Sequence, residues 1–537
     1  MRLHLIAPLS NAHVDYVRLP AGDGSGRHFA RVAAASIATV AAFAPEDFEV
    51  TLCDETIEPV DLDVDADVIG LTANVSQAMR ALELAAAFRA RGKTVLMGGP
   101  HVSLAPELFE QAADCLVVGE MEEIAAEIFA DIRAGTLKRR YLGTRADLRA
   151  SPAPRWDLYP NSLALSGVVQ TSRGCPFECH FCDVIQYLGR IQRHKDDAQV
   201  LAEIQALYDH GYNFISLADD NFTVYRRRAS SLLAAMAGWN GAAGREHVLF
   251  ATQMSIDIAR DESLLAQCNE AGLLNAFIGI ETNSEQGLVE SRKRQNLRVD
   301  LAAQCRKIVS HGIRIEAGLM VGFDSDDLSA FERQFEFAMS LPVCAFNLSV
   351  LVAPVATPLH ESMRAAGRLV SDEVLAQFPS ANLITNFEPA QMSRDELYVG
   401  AKWLLNRLMR PDYLKVRLEA MARLLAPPPW AVRPGARRRP PQPAAARAAA
   451  ALMRDMARGD SEVRALISSA MELMRRRPDI RDGIADALTH YLMSLRGMQQ
   501  NGVYDPVWAG LARPPFGAET LDARARDLAP RDLSAAI

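Results

Sequence analysis

Short apolar runs alternate with helical stretches along most of this chain, and no other feature restricts its fold as strongly. Parallel neighbours need a crossover, ordinarily a helix, so strict strand–helix alternation implies parallel sheets covered on both faces. Among the first 140 residues the pattern predicts strands over 3–7, 48–53, 68–71, 94–97 and 115–118, with helices over 77–91 and 121–134. Between 165 and 365 it predicts six more strands, over 167–171, 214–217, 249–254, 276–280, 313–321 and 346–351, again with helices in the intervals. Ligands of such sheets lie beyond the C-terminal strand ends. In the first unit those ends carry Thr72-Ala73-Asn74-Val75-Ser76, Gly98-Gly99-Pro100-His101 and Gly119-Glu120-Met121-Glu122. Small residues there either let a ligand approach the backbone or serve tight turns, and local chemistry favours neither. No GxGxxG stands at the first turn, which argues against a dinucleotide.

The second unit opens on Thr171-Ser172-Arg173-Gly174-Cys175-Pro176-Phe177-Glu178-Cys179-His180-Phe181-Cys182-Asp183. A strand delivers the chain to a loop bearing three thiols. Soft thiolates suit iron, zinc or copper far better than magnesium or calcium. A CxxxCxxC loop supplies three ligands, so a four-iron cluster would keep one iron open. Zinc would need a fourth protein ligand, for which His180 and His194 are at hand. Cys53, Cys115, Cys268, Cys305 and Cys344 are scattered in apolar surroundings and read as core thiols, not as a disulfide framework. Farther on, Asp219, Asp220 and Asn221 concentrate acceptors at a strand end; on chemistry alone they form a helix cap and polar turn. Arg292, Lys293, Gln295 and Asn296 alone read as solvated helix residues.

With these motifs, and with Gly279-Ile280-Glu281, the sequence resembles the radical S-adenosylmethionine enzymes over residues 1–425. The resemblance implies that Cys175, Cys179 and Cys182 hold a [4Fe-4S] cluster whose open iron chelates S-adenosylmethionine. It implies that Asp219 and Asp220, supported by Asn221, receive the methionine ammonium, and that Phe181 and the strand bearing Gly318 lie near the adenine. Gln253 and Ser255 end the third core strand, and Glu281 takes a ribose hydroxyl or the amine. Arg292 and Lys293 approach the carboxylate. Tyr187, Arg190 and Arg193 lie near either cofactor or the substrate entrance. The six core units imply a partial (β/α)₆ barrel. The first unit is similar to the cobalamin-binding domain of many such enzymes, which makes Thr72, Asn74, Val75, Ser76, Gly98, Gly99, Pro100, His101, Gly119 and Glu120 candidates for holding cobalamin. An Asp-x-His-x-x-Gly motif is absent: Asp54-Glu55 follows the second strand with no histidine correctly placed, so no protein histidine is expected on cobalt. His101 is open to a hydrogen-bonding, capping or ligating role.

The expected organisation is α/β. Residues 1–140 form a Rossmann-like cobalamin-binding-type domain, 141–164 a linker, and 165–365 the partial barrel. Residues 366–426 form an extension in which Asn386-Phe387-Glu388-Pro389 and Met392-Ser393 resemble the tail of the subgroup acting on hopanoids and bacteriochlorophyll-like pigments. A Pro/Arg-rich stretch over 427–447 reads as a stiff exposed linker, and 448–537 as a helical cap helping to enclose substrate, with a polar, loosely attached end from 516. The formal charge of -8 gives no support to a general nucleic-acid binder. No leader or membrane-spanning run is read, so a cytoplasmic enzyme is expected, with a peripheral membrane contact left open.

The resemblance implies cobalamin-dependent methylation of an unactivated carbon or a phosphorus of a small molecule. A low-potential donor such as flavodoxin or ferredoxin would supply electrons. Its rivals are a cyclisation or rearrangement, a cobalamin-free transfer of the aminocarboxypropyl group, and a sensor or scaffold without turnover.

Overall fold

The structure, a computed structural model, describes residues 1–10, 19–22, 25–370 and 383–517. Two six-stranded parallel sheets organise it. The first contains Arg2–Ala7, Glu49–Asp54, Val68–Thr72, Thr94–Gly98, Cys115–Val118 and Arg140–Leu142. In space the second of these strands lies outside the first, and the others follow in order on the opposite side. Strand order therefore reverses next to Arg2–Ala7, which creates a topological switch point beyond the strand ends. Period-two alternation gives the sheet two apolar faces. Ile69, Leu71, Val95 and Met97 pack under the helix Ala78–Arg89. Leu3, Leu5, Val68, Leu96 and Val117 face the helices Ala35–Ala41 and Ala125–Ala134. The sixth strand, Arg140–Leu142, was not expected; it falls at the start of the anticipated linker.

The second sheet contains Gly167–Val169, Phe214–Leu217, Leu249–Gln253, Leu273–Glu281, Arg314–Val321 and Ala345–Val350, side by side in sequence order. A parallel wall that grows without reversal is how a (β/α) barrel is built. Ile278 and Ile280 are fully buried, whereas Phe277 and Gly279, which alternate with them on the other face of the strand, are only half-buried. The five scattered cysteines are all buried and free, as expected.

The C-terminal helices pack at the N-terminal ends of the barrel strands. Arg314, at the beginning of its strand, pairs with Asp486 at 3.1 Å, and Asp486 also holds Arg438 at 2.8 Å. Asn213, Leu249 and Asn275, all at N-terminal strand ends, share one cavity with Asp482 and Thr489. The helices Pro443–Gly459 and Arg481–Gln500 thus close the barrel opposite the cysteine loop and do not enclose the space above it. The Pro/Arg-rich stretch is tied down: Arg437 and Arg439 exchange backbone hydrogen bonds with His247, and the Arg439 guanidinium lies 3.8 Å from the Tyr208 ring centroid. The expected polar tail lies, from 518 onward, outside the described residues.

Candidate functional site

The cysteine loop leaves its strand at Val169 and is pinned on both sides. Gly174 adopts φ +100°, and a Cβ there would lie 2.7 Å from the Ile191 carbonyl oxygen, so the turn demands glycine. Cys175 donates its backbone N–H to the Gly189 carbonyl at 3.2 Å. Burial raises the Cys175 thiol and pushes Cys182 up to about 12, so both are protonated until a metal displaces the proton. Among the described residues no three His, Cys, Asp or Glu side chains gather around a single metal position.

Asp219 is 1% exposed, and its carboxylate is fully engaged. It accepts from Thr171 N at 2.8 Å, Ser172 N at 2.8 Å and Thr171 Oγ1 at 2.5 Å. In the structure Asp219 anchors the segment that leads into the cysteine loop. Asp220 accepts from Gly174 N at 2.8 Å and borders a cavity. Burial raises its carboxyl, with the Gly174 N–H and the Arg173 charge opposing. Asn221 donates to Ser255 Oγ at 2.5 Å, and its own buried Oδ1 lacks a partner. Gln253 is exposed at its strand end.

Glu281 sits at φ 65°, strained backbone for a non-glycine residue, which Gln334 supports by donating to its carbonyl at 2.8 Å. Its carboxylate receives Lys293 Nζ at 2.5 Å. Burial would lower the Lys293 ammonium, but Glu281 and the neighbouring Cys179 and Cys182 hold it above its ordinary value. Gln295 Nε2 reaches Cys179 Sγ at 3.9 Å. At Gly279 a Cβ would run into the Glu281 carboxylate and Lys293 Nζ, and at Gly318 into the Phe277 ring, so both glycines make way for these side chains. Lys293 and Gln295 are therefore drawn to the thiols, while Arg292 remains exposed. Phe181 packs with Phe323, Leu351 and Phe387. Asn386 explains the following motif, since it exchanges two hydrogen bonds with Ala353 in the loop after the last strand.

A cavity of about 500 Å³ runs between the two sheets. Its inner part is an apolar slot between Leu5, Gly70, Leu96 and Val117 on the sheet and Ile37 and Phe129 on the helices. Its mouth is formed by Thr72, Gly98, Gly99, Pro100, Gly119 and Glu120, with Arg173, Tyr187 and Asp220 facing them from the core. An apolar slot opening onto polar strand ends of this size fits a large cofactor with a buried tail. Other candidate residues stand outside the lining of this cavity. Asn74 caps its own turn, accepting from Ser76 N at 2.9 Å and Gln77 N at 3.0 Å, and Asn74, Val75 and Ser76 do not line the cavity. His101 also stands outside it, with its ring edge-on to Phe109. Glu120 borders the cavity but is bound within the protein, to Arg193 at 2.6 Å and Arg173 at 2.9 Å. Burial alone would raise the Glu120 carboxyl, yet the two guanidiniums hold it below its ordinary value. Arg193 thus joins the two sheets, and Arg190 pairs with Glu178 at the surface.

Residues 169–338 match the model of the radical SAM superfamily, and residues 31–129 match that of the B12 binding domain. An uncharacterized methyltransferase from Synechocystis sp. is 32% identical over 381 residues, 68% of this chain and 69% of the relative. The hopanoid C-2 methylase of Rhodopseudomonas palustris is 30% identical over 344 residues, 62% of this chain but only 64% of the relative. Among solved structures, the cobalamin-dependent S-adenosylmethionine radical enzyme OxsB superposes with a TM-score of 0.58 at 13% identity, over 93% of this chain and 80% of that one. The radical S-adenosylmethionine methyltransferase TsrM from Kitasatospora setae gives 0.56 at 17% identity, over 69% and 78%. These two likenesses concern the fold.

Proposed function

The chain belongs to the radical S-adenosylmethionine enzymes that carry a B12-binding domain, and on that premise we propose that it methylates an unactivated carbon, or a phosphorus, of a small molecule. One observation carries the reading: the cavity of the first sheet opens onto the core beside the cysteine loop, where Tyr187 and Asp220 border it. Groups held on the two sheets would face a common space. Relatives at 32% and 30% identity, one named a methyltransferase and the other a methylase, support methyl transfer over the alternatives.

Cys175, Cys179 and Cys182 would hold the cluster, and the slot and mouth of the cavity would hold cobalamin. When bound, the cluster supplies the electron that opens S-adenosylmethionine, and cobalamin supplies a transferable methyl group. The protein's own work is to bind, orient and exclude water. Glu281 and Lys293 form a dipolar pair suited to the amine and carboxylate of methionine. A low-potential donor such as flavodoxin or ferredoxin would deliver electrons. No described helix is long and apolar enough to cross a membrane.

The test is an anaerobic incubation of reconstituted enzyme with reductant and S-adenosylmethionine. Methyl transfer with radical chemistry predicts S-adenosylhomocysteine and 5'-deoxyadenosine together. 5'-Deoxyadenosine alone would favour rearrangement or cyclisation. Methylthioadenosine would mark aminocarboxypropyl transfer, and no turnover would leave a sensor.

A further inference from the structure

Most charged groups around the interdomain cavity are spent on one another, as Glu120 is on Arg173 and Arg193, and Glu122 on Arg173. Lys195 and Glu203 also border this cavity and form a different kind of pair. Their side chains are 5% and 1% exposed, with Nζ and Oε1 2.5 Å apart. That hydrogen bond is the only one Lys195 Nζ makes among the described residues, so an ammonium with three N–H groups keeps two to offer. Glu203 Oε2 is buried and has no partner. Neither group can easily turn away. Lys195 is held through its backbone, donating to Thr171 O at 3.0 Å and accepting from Arg228 Nη2 at 2.8 Å. Glu203 stands within the helix Asp197–Asp209.

A buried ion pair recovers its desolvation cost only when its remaining donors and lone pairs are satisfied. Here one wall of a cofactor-sized cavity keeps ammonium donors and a carboxylate acceptor side by side. The complement of that pattern is a primary carboxamide, whose carbonyl accepts from the ammonium and whose NH₂ donates to the carboxylate. A free carboxylate fits worse, because it would meet Glu203 oxygen to oxygen. Cobalamin carries primary carboxamides around its corrin rim. We propose that Lys195 and Glu203 are the specificity element of the cavity, reading one rim carboxamide of cobalamin. The proposal rests on the reading that this cavity holds cobalamin.

The test titrates full-length protein with hydroxocobalamin and with each of its monocarboxylate derivatives, following the corrin absorption. The double variant Lys195→Met/Glu203→Leu removes the pair without leaving a lone buried charge. It should bind hydroxocobalamin at least about tenfold more weakly than wild type, the loss of a charge-assisted hydrogen bond, with iron content unchanged. The single variant Glu203→Gln keeps an acceptor for Lys195 and turns the orphan acceptor into a donor. It should lower the preference for hydroxocobalamin over one monocarboxylate derivative by about tenfold or more, and it decides the matter if the double variant does not fold. Wild-type affinity in the double variant, or an unchanged preference in Glu203→Gln, overturns the proposal. If wild type takes up no corrin at all, the cobalamin reading of the cavity falls, and this proposal with it.

Discussion

Asp219 and Asp220 are adjacent in the chain and divide their work. Burial lifts the Asp219 carboxyl to about 6 from an ordinary 3.8, against the pull of the Thr171 and Ser172 donors. A carboxyl raised on folding binds more protons in the folded state. Its contribution to stability is therefore complete below its unfolded value and is lost as pH rises through about 6. The gap corresponds to about 3 kcal/mol. Asp219→Asn keeps an acceptor for the two N–H groups and should flatten the pH dependence of urea unfolding between about pH 4 and 6. An unchanged slope would place that titration elsewhere. Cys179→Ala should lose the iron and all cleavage of S-adenosylmethionine, whereas retained cleavage would remove the cysteine loop from the chemistry. Cys175, Cys179 and Cys182 were legible because all three lie within one short loop. The division between Asp219 and Asp220 was not, because it depends on Thr171, 48 residues away in sequence.

The alternation of strands and helices was legible element by element, since each run carries its own period. All eleven expected strands are present, within a few residues of their expected bounds. Arg140–Leu142 escaped because three residues, two of them exposed, hold too little apolar pattern to read. The bond between the sheets was also invisible: Glu120 looked like a loop ligand, and its partners Arg173 and Arg193 lie 53 and 73 residues away. Glu120→Gln should leave the largely buried Arg193 guanidinium short of a counter-charge, while Arg173 keeps Glu122, and cost about 3 kcal/mol, measured by denaturant unfolding. Because this carboxyl is depressed on folding, the stability it contributes holds above the ordinary carboxylate range and is lost as pH falls through the depressed value. A variant as stable as wild type would show that the sheets are held together by other contacts. At Gly119, φ is +88° and a Cβ would run into the Gly143 carbonyl, so that glycine serves the fold of the turn whatever binds beside it.

Across the whole molecule, the C-terminal helices buttress one pole of the barrel while the cysteine loop and the interdomain cavity occupy the other. Helical periodicity near Leu466 and Leu473 announced these helices; it could not say which end they would cover, because an apolar stripe does not name its partner. Arg314 is 9% exposed, and Asp486 is the only carboxylate paired with it among the described residues. Asp486→Ala should therefore destabilise the chain by about 3 kcal/mol and leave cobalt uptake unchanged. Lost cobalt uptake in a folded variant would tie this pole to the cofactor after all. The central claim is that one chain carries a cluster and a corrin on sheets that face each other. Anaerobic reconstitution with iron, sulfide and hydroxocobalamin, followed by desalting and metal analysis, tests it most directly. The account predicts about four irons and about one cobalt per chain, with cobalt uptake lost on deleting residues 1–140. The same iron with no cobalt retained by the full chain would contradict it.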